Sequence, residues 1–283
     1  MIDSHCHLNA SYPSKAAAAP TIESFISKGG KRIVDVATNI EEITISQSLA
    51  RAYPTAIYCN VGLHPETPDG KTDSWIKIQD SLTTLRSTIN TLINLVGIGE
   101  TGLDYSYKET QGEYFTKVIE QQRELFVSHI ELAKKNELPL IIHARGEHQQ
   151  DYSVYQDVLG ILTEEKFSGR VYFHSFGGTK ELAEKIVDQG YLIGVNGIVT
   201  YSGAQIVAEC IQHAPLSALL LETDAPFLIP SNLDRKELQI PKVNEPIGIF
   251  ATAARVAKLK NTDVADVLHA CEQNAHAIFE RML

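Results

Sequence analysis

A (β/α)8 barrel, an α/β fold of the TIM type, is the architecture this sequence predicts. The first observation is a phrase repeated eight times: a short apolar run rich in β-branched and aromatic residues, a polar turn, then a helical pattern. The second is that several runs carry no polar face, as expected of parallel strands buried on both sides. The third is that metal-type side chains gather at the carboxyl ends of these runs, which in a barrel converge on one mouth. An open doubly wound sheet competes, but the GxGxxG that would follow its first strand is missing. No Pro/Gly/Ser-rich linker divides the 283 residues, so one domain spanning 1–283 is expected.

The runs, in order, are MIDSHCHL (1–8), KRIVDVAT (31–38), AIYCNVGLH (56–64), NLVGIGETGLD (94–104), LPLIIHAR (138–145), GRVYFHSF (169–176), YLIGVNG (191–197) and SALLLETDAP (217–226). Helical spacing is clearest over 40–53 and over the long amphipathic stretch 114–136. Two further helices, over about 245–258 and 262–281, close the pattern. Between the eighth run and these helices lies PFLIPSNLDRKELQIPKVNEP (226–246), long enough to be a lid or binding loop, or a solvated surface loop.

Composition narrows the function. A hydrophobic share of 43% supports a substantial core, and a net charge of −10 with no basic block argues against a protein that coats nucleic acid nonspecifically. It does not exclude an enzyme that acts on nucleic acid. Four scattered cysteines without a CxxC fit reduced thiols rather than a disulfide framework. With no basic region followed by an apolar run at the N-terminus and no long apolar stretch, a soluble, cytoplasmic chain without membrane association is expected. Nothing suggests an obligate dimer, so a monomer is expected.

His5 and His7 lie one residue apart, so on a strand they share a face while Cys6 turns to the other. Glu100 ends NLVGIGE, a run otherwise without charge, and His143 and His174 end LPLIIH and GRVYFH. Asp224 follows three leucines and Glu-Thr, where an unpartnered acid is costly to bury. Any one of these could be structural; all at the same place in successive strands point to a metal centre. Two hard divalent ions need a bridging carboxylate with terminal imidazoles and carboxylates. Glu100 is the natural bridge, with His5, His7 and Asp224 on one ion and His143 with His174 on the other. The donor set of N and O without sulfur suits Zn²⁺ or Mn²⁺ and, less comfortably, Mg²⁺. Such a centre activates water, which is hydrolase machinery, with Glu100, His64 and Asp224 the catalytic candidates.

Around that set the assignments are looser. His64, in GLHP, is a donor to the scissile phosphate or a cap on the third strand. Arg145 grips a phosphate or pairs with a carboxylate. Glu222 orients a ligand or a water, or belongs to a salt bridge in the barrel core. Arg235, Lys236 and Lys242 form the one local basic cluster near the site, with Lys242 a substrate-binding candidate. His129, His148, His213, His269 and His276 read as surface or packing residues.

The chain resembles the TatD family of metal-dependent hydrolases, often described as DNases, within the amidohydrolase-like barrels. DSHCHLN, GLHP, GIGETGLDY, the Gln122/Phe126 pair followed by LPLIIHAR, VYFHSFGGT, LLLETDAPFL, NEP and NAHAIF are similar to the family's motifs and span the whole length. The resemblance implies ligation by His5, His7, Glu100, His143, His174 and Asp224, with His64 near the scissile phosphate. It implies divalent-metal phosphodiester hydrolysis of DNA, including exonuclease action, which from a barrel mouth is expected at a free 3′ end. The alternative is a same-fold hydrolase of a small ester, lactone or amide, or of aminoacyl-tRNA. Two departures at the pocket rim bear on the substrate: a longer loop after HAR (146–155), and Gly177 where the family has serine.

Overall fold

The computed structural model describes residues 1–106, 112–147, 151–233 and 243–282. Lys242, Arg235, Lys236 and His148 lie outside the described residues.

Eight strands form one sheet in sequential order, each parallel to the next. They are β1 (Ile2–Cys6), β2 (Arg32–Ala37), β3 (Ile57–Val61), β4 (Leu95–Asp104), β5 (Leu140–Arg145), β6 (Val171–Phe173), β7 (Leu192–Val195) and β8 (Leu219–Leu221). All eight fall within the apolar runs. Among the described residues ten α-helices accompany them: α1 (Leu8–Ser11), α2 (Lys15–Ser27), α3 (Ile40–Ala52), α4 (Thr72–Thr88), α5 (Glu113–Asn136), α6 (Ser153–Glu164), α7 (Lys180–Asp188), α8 (Gln205–His213), α9 (Ile249–Lys260) and α10 (Val264–Ile278). The helix expected over 245–258 begins instead as a 3-10 turn at Pro246–Gly248 and runs on to Lys260. Pro246 lacks the N–H of a helix interior, which suits it to this first turn.

Local chemistry starts several of these helices. Asn39 caps α3 by accepting from the Glu42 N–H at 2.9 Å, and the Glu42 carboxylate returns to the N–H and hydroxyl of Thr38. Ser14 and Thr179 cap α2 and α7 in the same way. The long α5 ends at Glu137 in the left-handed conformation, φ 54°, so the chain can turn back into β5.

The strands bury two layers. Ile2, Val34, Tyr58, Val96, Ile141, Tyr172 and Leu220, each from a different strand, fill the lower barrel, and Ala275, Ile278, Phe279 and Met282 of the C-terminal segment plug it from below. The opposite strand faces pack against the helices in one large cluster that includes Cys6, Ile33, Cys59, Leu140 and Phe173. Apolar burial of this extent is the main driving force of folding. All four cysteines are free and buried. No helix among the described residues is long and apolar enough to cross a membrane.

The seam between β8 and β1 is closed just above the last ladder residues. The Asp224 N–H donates to the His5 carbonyl at 2.9 Å and the His7 N–H to the Ala225 carbonyl at 2.8 Å. Buried Asp3 accepts from the Thr223 N–H at 2.9 Å and its hydroxyl at 2.6 Å. The segments carrying His5, His7 and Asp224 are therefore the segments that close the barrel.

Candidate metal centre

Side chains of six strands or their extensions meet above the apolar plug. In β1, Asp3 and Cys6 pair with Ile33 and Asp35, which sets Ser4 and His5 against Val34 alone, so the strand holds a bulge. Strict alternation from inward-facing Ile2 would send His5 and His7 to the helices. The extra residue reverses the phase, so both imidazoles face inward and Cys6 outward, into the helix-facing cluster. A second bulge lies in β4, where Ile98 and Thr101 pair with Leu140 and Ile142. Glu100 is inside this distorted stretch, not at the strand's end, because β4 continues to Asp104. Gly99, at φ 149°, has the Ile141 carbonyl oxygen 2.4 Å from where a Cβ would be, so no side chain is tolerated beside the glutamate.

The Glu100 carboxylate is the hub, and its two oxygens face different partners. Oε2 lies 3.4 Å from His5 Nε2 and 3.6 Å from His7 Nε2. Oε1 lies 2.8 Å from His143 Nδ1, 2.5 Å from His174 Nε2 and 3.4 Å from His64 Nε2. Asp224 closes the first group, with Oδ1 3.7 Å from His5 Nε2 and 3.4 Å from His7 Nε2. Its backbone is left-handed at φ 53°, a conformation that Asp tolerates better than most residues.

These spacings fit divalent cations. Donors about 2.1 Å from a tetrahedral ion lie about 3.4 Å from one another. His5 Nε2 and His7 Nε2 are 3.2 Å apart, and their distances to the two carboxylates span 3.4 to 3.7 Å. Among the described residues three overlapping groups qualify as possible ligand sets: His5/His7/Glu100, His5/His174/Asp224 and His64/Glu100/His143.

Hydrogen bonds set the tautomers. His7 Nδ1–H donates to the Val36 carbonyl at 3.1 Å, so Nε2 is the nitrogen that faces the carboxylates and becomes a donor to a cation once its proton is displaced. His143 is turned the other way: Nε2–H donates to Asp104 Oδ2 at 2.8 Å and Nδ1 faces Glu100. Orientation of an imidazole by a carboxylate on its far nitrogen is the usual support of a metal-binding histidine. Asp104 is itself held by the Ser106 N–H and hydroxyl, and its backbone by both ends of the buried Gln122 amide. The sequence reading missed Asp104, although its even spacing from Glu100 in one strand was a usable signal. His64 differs from both. Its Nδ1 accepts from the Glu66 N–H at 3.1 Å, which places the proton of the neutral ring on Nε2, toward the site. Ligation through Nε2 would set two N–H groups against each other, so in the neutral ring it is an N–H that faces Glu100.

Electrostatics follow from crowding. Burial acts to raise the Glu100 pKa, but the imidazoles of His174, His64 and His143 outweigh it and hold the carboxylate well below its ordinary value. Burial would discharge His7 and His143, yet Asp224 and Glu100 lift the first to about 9, and Asp104 and Glu100 lift the second to about 10. Burial and the stacked His174 ring push His5 down to about 4. Cation uptake here would displace protons from His7 and His143.

The remaining candidates fall at the rim or below. Arg145 is 62% exposed, its guanidinium 4.0 Å from the Glu66 carboxylate. Buried Glu222 has no cation partner among the described residues. It accepts from the Ser175 N–H at 2.6 Å, from the Asn196 amide and from the Tyr172 hydroxyl, so of its two readings the salt bridge is absent among the described residues and a hydrogen-bonded network stands in its place. His129 is fully buried in α5 and binds backbone at both ring nitrogens, while His213 is exposed.

Comparisons with known proteins agree with this geometry. The family model described as TatD related DNase matches residues 2–280. An uncharacterized metal-dependent hydrolase of Mycoplasma genitalium is 30% identical over 286 residues, covering 98% of both chains. The uncharacterized metal-dependent hydrolase YcfH of Escherichia coli is 30% identical over 286 residues, covering 99% of this chain and 95% of its own. Among solved structures, the TatD homolog YJJV of Escherichia coli superposes with a TM-score of 0.80 at 26% identity, covering 99% of this chain and 98% of that one. A lactonase of Deinococcus radiodurans, at 14% identity and a TM-score of 0.61 over 98% of this chain and 95% of that one, shares the barrel alone. With the imidazole–carboxylate hub at the mouth of an eight-stranded barrel and the match running nearly end to end, this chain belongs to the TatD family of metal-dependent hydrolases.

Proposed function

We propose that the protein is a two-metal phosphodiesterase acting on DNA, as an exonuclease from a free 3′ end. The observation that carries this reading is the division of Glu100, one oxygen facing His5 and His7 and the other facing His143 and His174. In this assignment His5, His7 and Asp224 would hold one ion and His143 and His174 the other, with Glu100 between the two sets. Divalent ions held there would supply Lewis acidity for hydrolysis of a phosphodiester. The family's description as a DNase supports DNA as the substrate. His64 Nε2–H, fixed by the Glu66 N–H, donates to a phosphoryl oxygen as its charge grows. Asp104 holds His143 in the tautomer that offers Nδ1. Arg145 at the rim attracts the adjoining phosphate, and Lys242 is assigned to the same task. Asp224, braced by the barrel seam, fixes its carboxylate against the two β1 imidazoles.

The test is hydrolysis of 3′-labelled single-stranded DNA by protein reconstituted with Mg²⁺, Mn²⁺ or Zn²⁺. Release of labelled mononucleotide is expected. No release with any metal, from protein shown to hold two ions per chain, would reject the reading in favour of a small or aminoacyl ester. His64→Ala should lower kcat about a hundredfold, as loss of one oxyanion donor does, while metal content stays at two per chain. Loss of metal in that variant would make His64 a ligand instead.

A further inference from the structure

One aromatic ring at the mouth is left uncovered. Phe227, three residues after Asp224, is 55% exposed, and its ring centre lies 6.0 Å from that of His7 at an interplanar angle of 70°. Single exposed apolar residues are common, so exposure alone carries no meaning. Placement and rigidity do. The Phe227 N–H donates to the Asp224 carbonyl at 2.9 Å, and the Asn244 N–H donates to the Pro226 carbonyl at 3.0 Å. The buried Asn244 amide also donates to the Thr223 carbonyl at 2.9 Å. The backbone that carries the ring thus belongs to the braced turn that presents Asp224.

The sequential strand order puts this turn, after β8, across the mouth from the ends of β3, β4 and β5. On that far side are the His64 Nε2–H and the exposed Arg145 guanidinium. A group lying over Glu100 therefore meets an aromatic surface on one side and hydrogen-bond donors with a cation on the other. That asymmetry matches a nucleotide, whose flat heterocycle and anionic backbone point apart.

We propose that Phe227 is the stacking platform for the nucleobase adjoining the scissile phosphodiester, with the neighbouring phosphate directed toward Arg145. The proposal rests on the phosphodiesterase reading and adds to it how the strand is gripped. Base–aromatic stacking tolerates any base, because every base has a π face. The subsite therefore recognises nucleotides as a class without selecting sequence.

The experiment uses the metal-loaded full chain and three oligonucleotides: one intact, one abasic at the 3′-terminal position, and one abasic at the penultimate position. Wild type should show a KM about tenfold higher on one of the two abasic substrates than on the intact one. In Phe227→Ala that ratio should fall to near one through a raised KM on intact DNA, and Phe227→Trp should restore it. Metal content of both variants, measured alongside, should remain two ions per chain. A Phe227→Ala enzyme that keeps the wild-type ratio, or a wild type that treats all three substrates alike, overturns the proposal and leaves the phosphodiesterase reading standing. Failure of wild type to cleave any of the three removes the reading and the proposal together.

Discussion

Glu100→Ala should abolish turnover, with a loss well beyond the roughly 10–100-fold typical of groups that merely support a ligand. The reason is geometric. Five imidazoles lie within 3.6 Å of this one carboxylate, two of them on Oε2 and three on Oε1. Removing it leaves His143 and His174 without a carboxylate between them and leaves the β1 pair with Asp224 alone. If Glu100 joins two ions, metal content should fall below two per chain, and added metal should not rescue turnover. Glu100→Gln, which keeps the shape but not the charge, should share most of the loss. Metal analysis and turnover measured on the same preparation decide the matter, and full turnover in the alanine variant would refute the two-metal assignment.

Acidification should cost the wild-type protein stability through His129, and His129→Gln should remove that cost. The ring is buried, with Nδ1–H donating to the Leu125 carbonyl at 2.8 Å and Nε2 accepting from the Leu63 N–H at 3.0 Å. Burial is the main reason its pKa is lowered to about 4. In the unfolded chain the same imidazole titrates near its ordinary value, so between about pH 6.5 and 4 the unfolded state binds more protons. Stability supplied by neutral His129 is then complete above pH 6.5 and lost as pH falls through that window. From pH 7 to pH 5 the loss is about 2 kcal/mol. Glutamine keeps an acceptor for the Leu63 N–H and does not titrate. The advantage of wild type over His129→Gln in denaturant unfolding should therefore shrink by that amount over the same range. A constant difference would mean that His129 does not carry the acid sensitivity.

Much of this molecule is legible from local pattern. All eight strands fall inside the apolar runs, and the helices expected over 40–53 and 114–136 appear as α3 (Ile40–Ala52) and α5 (Glu113–Asn136). Each of the six ligand candidates faces the common cluster, because polar residues that interrupt buried runs need partners, and a barrel mouth supplies them. Roles that depend on distant partners were not legible. Asp104 reads as one more polar residue at the end of its run until His143 is seen against it. Asp3 reads as part of a motif until its carboxylate is found stitching Thr223 across the barrel seam.

The sequence by itself therefore determined the alternation of strand and helix, the parallel barrel, and the chemical identity of the donors at its mouth. Those are consequences of hydrophobic period and residue type, which neighbours along the chain define. Only the tertiary structure decided which way each donor points. The bulge at Asp3–Cys6 exists only against the register of β2, and it alone turns His5 and His7 inward. The tautomers of His7 and His143 are set by Val36 and Asp104, both on other strands. Register and hydrogen-bond partnership are relations between segments distant in sequence, so no local pattern encodes them.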